Sequence, residues 1–154
     1  MAAFTIHDQV IHLPAMLVQP TAESDEKAWQ GGIYLTIRLE KTITVLRVHT
    51  KGKSFPGRKG SDEEGRWLLI GDVIQTASEI ADSRSLPTTN PRSMAAFTHT
   101  SEAVVAVGTV LNIGIASALF GGNGGGWQAQ FVSGPPMVFR PFTNKHWIDF
   151  AGNA

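Results

Sequence analysis

The chain has 154 residues, no Cys, and 13 basic against 13 acidic side chains. That length holds one domain with a real core and is too short for two. The charge balance excludes a bulk electrostatic pull toward nucleic acid or an anionic membrane, and the lack of Cys excludes disulfides and thiolate zinc sites while leaving the compartment open.

The opening segment, MAAFTIHDQVIHLPAML, lacks the basic start and unbroken apolar centre of a secretory signal, because His7, Asp8, Gln9 and His12 interrupt it. No apolar run approaches the roughly 20 residues needed to span a bilayer as a helix. Ile33 to Glu40 alternates strictly, with Ile33, Leu35, Ile37 and Leu39 on one side and Tyr34, Thr36, Arg38 and Glu40 on the other, which predicts a half-buried strand. Ile43 to Thr50 is rich in β-branched residues and predicts a second strand that runs into the basic loop KGKSFPGRKG. Asp62, Glu63 and Glu64 read as a solvated turn.

Asp72 to Ala81 places Val73, Ala77, Ile80 and Ala81 on one helical face, with Asp72 as N-cap and Gln75 as its capping-box partner, and predicts a short helix. Leu86 to Pro91 is a proline-fixed connector. From Val104 to Phe120 one parity carries Val105, Val107, Leu111, Ile113, Ile115 and Leu119, while the other carries Ala106, Gly108, Gly114, Ala116 and Ala118. That pattern predicts bulk on one side and close approach on the other, in two strands joined near Gly108 to Asn112.

Phe120 to Gln128, FGGNGGGWQ, is the most specific feature. Gly124, Gly125 and Gly126 let the backbone turn sharply and approach a ligand, and Gln128 follows beside that opening; a plain hairpin turn without chemistry fits the same residues. Trp127 to Val132 alternates again, so Gln128 and Gln130 share one face and Trp127, Ala129 and Phe131 the other. The tail, from Ser133 to Ala154, is a Pro-rich loop followed by aromatics around Phe139, Phe142, Trp147 and Phe150 that are expected to seal the core. The predicted fold class is α+β, a twisted, mainly antiparallel β core with one or two short helices, in a single domain spanning 1–154.

The ordered set GRWLL (Gly65 to Leu69), IADSRSLP (Ile80 to Pro87), VVAVGTVLNIGIA (Val104 to Ala116) and FGGNGGGWQ resembles the toxin domains of bacterial polymorphic and secretion-system effectors. It is most similar to the NAD glycohydrolases related to the tuberculosis necrotizing toxin, themselves relatives of ADP-ribosyltransferases. The resemblance covers roughly Arg47 to Phe131, and its sharp part is the glycine-glutamine segment. It implies an ADP-ribosyltransferase-like core over 41–154, with residues 1–40 as N-terminal strands outside the match.

Carried onto this sequence, the resemblance places the family's glutamine at Gln128 as the catalytic residue and its phenylalanine at Phe120. Arg58 and Arg84 stand where arginines hold the dinucleotide phosphates, with Gly125, Gly126 and Trp127 lining the turn. Arg47 resembles the first-strand arginine of ADP-ribosyltransferases, and His99 is the histidine nearest the expected position after the connector, although its spacing departs from the pattern. Without the resemblance, Arg58 with Lys51, Lys53 and Lys59 reads as an ordinary solvated loop, and Trp67 and Trp127 as core. Arginine's bidentate fork suits pyrophosphate.

The implied activity is hydrolysis of NAD, as substrate rather than cofactor, by an exported effector that acts in a target-cell cytoplasm and is restrained by an acidic immunity protein. An ADP-ribosyltransferase using the same cleft and a non-catalytic β-rich binding module are the alternatives. The five histidines show no HxxxH or HxH spacing, so no metal site is expected. No GxGxxG opening a helix, Walker loop or GxSxG elbow occurs, which disfavours a doubly wound nucleotide fold and a serine hydrolase.

Overall fold

The structure, a computed structural model, describes residues 1–21, 24, 26–49, 67–71, 99–118 and 123–141. The helix expected over Asp72 to Ala81, the loop carrying Arg58, and Arg84 and Phe120 lie outside the described residues. What is described is almost entirely antiparallel sheet. A hairpin comes first, β1 (Ala2–Ile6) and β2 (Gln9–Leu13), closed by His7 and Asp8 with φ of 49° and 63°. Positive φ at both central residues is the two-residue turn whose twist matches a hairpin, and Asp and His are among the non-glycine residues that tolerate it. Phe4, Ile6, Ile11 and Leu13 point from this hairpin into the core.

Eight strands form the main sheet: β3 (Ala15–Leu17), β4 (Leu35–Leu39), β5 (Ile43–His49), β6 (Trp67–Leu69), β7 (His99–Val105), β8 (Val110–Ile115), β9 (Trp127–Ser133) and β10 (Val138–Pro141), in spatial order β10-β7-β5-β6-β9-β8-β4-β3. Short β6 is the bridge between two groups. It meets β5 at one pair, Leu46 with Leu69, and β9 at Trp67, Leu68 and Leu69. The connections from β4 to β5 and from β7 to β8 both cross between the groups. They are tied to each other where Leu39 N donates to Thr109 O, Gly108 N to Leu39 O and Val107 N to Thr42 Oγ1, at 2.9, 2.8 and 3.2 Å.

The expected strand from Ile33 begins at Leu35 instead. Two 3-10 turns, Glu26–Ala28 and Gln30–Gly32, precede it, and Gly31 and Gly32 at φ 65° and 70° swing Ile33 out of the ladder, leaving it 46% exposed. Ile37 and Leu39 are buried as the alternation requires, yet Thr36 on the opposite parity is buried too. The single run from Val104 divides into β7 and β8 with Gly108 in the turn at φ 88°. The two strands do not pair with each other, because each belongs to a different group.

Ile37, Val105, Leu111, Ile113 and Ile115, each fully buried, centre the core. Side chains of that size gain about 1.5–3 kcal/mol each from complete burial. β8 is buried on both faces, since Asn112 and Gly114 are covered as well as their apolar neighbours. Phe139 of β10 packs against the core's margin; Phe142, Trp147 and Phe150 lie outside the described residues. β3 and β4, which precede residue 41, are strands of the same sheet as those that follow it.

Candidate functional site

The glycine turn folds back on the end of β8. Ala116 N donates to Gly126 O at 2.8 Å, Gly125 N to Ala116 O at 2.9 Å, and Gln9 Nε2 of the hairpin to Gly125 O at 3.1 Å. Gly124 and Gly125 both have positive φ, 72° and 92°, but their surroundings differ. A Cβ on Gly124 would lie 2.3 Å from Ala116 O and 2.6 Å from Ser117 O, whereas one on Gly125 would meet nothing within 4 Å. The close approach made by Gly124 is therefore to the chain's own backbone, and the open side of the turn is at Gly125. Gly124→Ala is expected to cost clearly more than Gly125→Ala, which bears only the conformational penalty of about 1–3 kcal/mol. Urea unfolding of the two variants compares them, and equal midpoints would contradict this packing.

The turn delivers the chain into β9, where alternation separates two sets of side chains. Trp127 and Ala129 enter the core, and Gln128 and Gln130 face the other way. In register, Gln128 lies between Gly114 and Leu69, and Gln130 between Asn112 and Trp67. Residues 26–33 cross over this face as a strap. Trp29, 1% exposed, is its anchor: its ring stacks on Tyr34 and lies tilted against Trp67, at centroid distances of 5.8 and 5.4 Å, and Trp29 bridges Ala116. Gly114 makes room for it, since a Cβ there would lie 2.6 Å from Trp29 Cε3. The small-residue parity of β8 is thus the seat of an indole.

A chain of neutral polar groups runs beneath the strap. Thr36 Oγ1 donates to Asn112 Oδ1 at 2.8 Å, Asn112 Nδ2 to Gln130 Oε1 at 3.2 Å, Ser24 Oγ to the same Gln130 Oε1 at 2.9 Å, and Trp29 Nε1 to Ser24 Oγ at 2.8 Å. Burial of Thr36 and Asn112 is tolerated because each has a partner in this chain. Gln128 Nε2 donates to Ala28 O of the strap at 2.8 Å. Ala28 O also accepts from Ser117 N at 3.1 Å, and Ser117 Oγ donates to Lys27 O. Amides and hydroxyls of this kind orient a hydroxyl group or water and carry no charge near neutral pH.

The structure brings Gln128 together with Gly125 and Gly126, and sets Trp127 and Arg47 apart from it. Trp127, expected from the resemblance to line the turn and without it to lie in the core, packs in the core beside Gly71 and Ile11, because alternation puts it on the face opposite Gln128. Leu46 is paired with Leu69 and Leu69 with Gln128, so Leu46 shares the glutamine's face and Arg47, next along β5, falls on the other, half-buried with a buried Nε. His99 begins β7 opposite His49. Arg58, Arg84 and Phe120 lie outside the described residues. Among the described residues no group of His, Asp and Glu side chains is placed to hold a metal ion, and no helix is long and apolar enough to cross a membrane.

Ser24, Ala28, Trp29 and Asn112 were not legible as parts of this site. Two signals point to them in retrospect: a glycine inside an apolar strand, which needs a large neighbour, and a Trp followed by Gln-Gly-Gly. With that geometry in view, the chain is similar to the solved structure of Tne2 in complex with Tni2, with a TM-score of 0.58 and 18% identity over 73% of this chain and 92% of that chain. The likeness is one of fold. No family model and no curated protein matches the sequence.

Proposed function

We propose that this chain is an NAD glycohydrolase toxin domain that hydrolyses NAD to ADP-ribose and nicotinamide. The observation that carries the reading is the setting of Gln128, a half-buried carboxamide one residue beyond the glycine turn, fixed through Nε2 and surrounded by neutral polar groups. Cleavage of the nicotinamide bond passes through an oxocarbenium-like ribosyl cation and releases a neutral leaving group. The enzyme must orient ribose and water and bind the pyrophosphate, and it need not protonate nicotinamide. The described partners around Gln128 are neutral polar groups, which suits that chemistry, in contrast to paired-carboxylate glycosidases.

In this reading Gln128 accepts from a ribose hydroxyl or the attacking water, Gly125 and Gly126 leave room at the turn, and Arg58 and Arg84 hold the phosphates, with Phe120 and His99 at the entry. The two strand groups joined through β6 form the walls of an ADP-ribosyltransferase-like cleft. Arg47 and Trp127, on the opposite face by register, support the sheet and do not touch NAD. The domain acts as an exported effector in a target-cell cytoplasm, and an acidic immunity protein plugs the cleft. A fold shared with a chain solved in a two-protein complex supports a dedicated partner. Carboxylates on such a plug complement an arginine-lined cleft and speed association.

Incubation of the purified protein with NAD tests the reading, following loss of the dinucleotide and appearance of free ADP-ribose and nicotinamide. Release of nicotinamide with ADP-ribose retained on an acceptor would replace hydrolysis by transfer. Intact NAD, together with unchanged NAD levels and growth when the domain is made alone in a bacterial cytoplasm, would overturn both and leave a binding module.

A further inference from the structure

Gln128 has two ends, and the fold treats them differently. Its Nε2 is held by Ala28 O, while no described residue donates to its Oε1. A carboxamide can be turned through half a revolution at little intrinsic cost, which would exchange donor and acceptor. What decides between the two orientations here is a backbone carbonyl, which can only accept. Ala28 O therefore selects the orientation that presents Oε1 as the free acceptor.

Ala28 owes its place to the strap. On one side Ser117 N donates to Ala28 O and Trp29 bridges Ala116; on the other the Trp29 indole fills the space above Gly114 and donates to Ser24 Oγ. Ser24 in turn donates to Gln130 Oε1, the junction that also receives Asn112 Nδ2. Gln130 stands two residues from Gln128 on the same strand and the same face. The polar chain thus links the strap to the strand that carries the glutamine, and a displacement of one is felt by the other.

We propose that residues 26–33, locked by Ser24 through Gln130 and Trp29, are the positioning element of the site, fixing the Gln128 carboxamide with Oε1 turned toward the substrate side. This rests on the proposed NAD glycohydrolase reading for its kinetic consequence and on the geometry alone for the orientation. Ser24 and Trp29 are positioning residues: they act through Ala28 O and need not touch the dinucleotide.

The experiment uses the whole chain and two independent readouts. The side-chain amide protons of Gln128, assigned by their disappearance in Gln128→Ala, are followed by nitrogen-edited NMR hydrogen exchange, and kcat and KM for NAD are measured in parallel. In the wild type these protons are expected to exchange more slowly than those of an exposed glutamine, by up to about tenfold for one hydrogen bond. Gly114→Ala, which drives a methyl group into the Trp29 ring, should abolish the protection. Because that variant also strains the fold, Ser24→Ala is the second: it should lose the protection and lower kcat by about five- to tenfold with KM unchanged, as for an interaction made in the transition state. Ser24→Thr, which keeps the hydroxyl, should restore both.

Unprotected Gln128 protons in the wild type would overturn the proposal. So would a folded Ser24→Ala protein with unchanged kcat, or a parallel loss in Ser24→Thr. Wild-type protein that cleaves no NAD would overturn the functional reading and the kinetic consequence with it, while amide protection would still decide whether the strap orients Gln128.

Discussion

Replacing Gln128 by Ala is expected to lower NAD cleavage by at least about two orders of magnitude while leaving the domain folded. A positioned contact to developing charge is worth about 2.7–4 kcal/mol in comparable sites, which is the size of that loss. The structural cost is far smaller. Gln128 is half-buried and makes one hydrogen bond, to Ala28 O, and the carbonyl it leaves behind still accepts from Ser117 N. Loss of one such bond costs about 0.5–1.5 kcal/mol, against a net stability of about 5–15 kcal/mol for a domain of this kind. The measurement is kcat with a thermal melt of the same preparation. Activity within a few-fold of wild type would remove Gln128 from the chemistry.

Trp29→Ala is expected to give the largest loss of stability of any single change in the strap. The indole is 1% exposed, stacks on Tyr34, lies tilted against Trp67, and donates to Ser24 Oγ. Truncation of a buried aromatic of this size costs about 3–5 kcal/mol, because the cavity over Gly114 adds to the lost transfer energy. For a chain of this length that corresponds to a fall in Tm of roughly 6–20 °C. It should also release the strap, so loss of Gln128 amide protection should accompany the thermal effect. An unchanged Tm would show that the segment does not pack on the sheet as described.

Alternation and turn chemistry make several elements legible in the sequence. The period-2 patterns of β4 and β9 mark the side of each that faces the core, the β-branched run marks β5, and Gly108 marks the break between β7 and β8. The glycine run marks the turn before β9. That Gln128 and Gln130 share a face followed from their spacing alone, because successive strand residues point in opposite directions.

Other features depend on pieces of the chain distant in sequence. Period 2 says which residues of one strand lie together, but not which face of that strand continues which face of the next. Arg47 and Gln128 illustrate the difference, since only the pairing of Leu46 with Leu69 and of Leu69 with Gln128 puts them on opposite sides. The same holds for β6, whose three residues are too few to show a period yet join the two strand groups. Gly114 looks like a weak point in a strand until Trp29 is placed over it. The sequence by itself determined β4, β5, β8 and β9, the glycine turn and the glutamine that follows it; tertiary structure decided which neighbouring residues share that glutamine's face, and that a carbonyl from residue 28 holds its amide. The reason is that local pattern constrains neighbours along the chain, whereas the partner of a side chain is set by register and packing between segments a hundred residues apart.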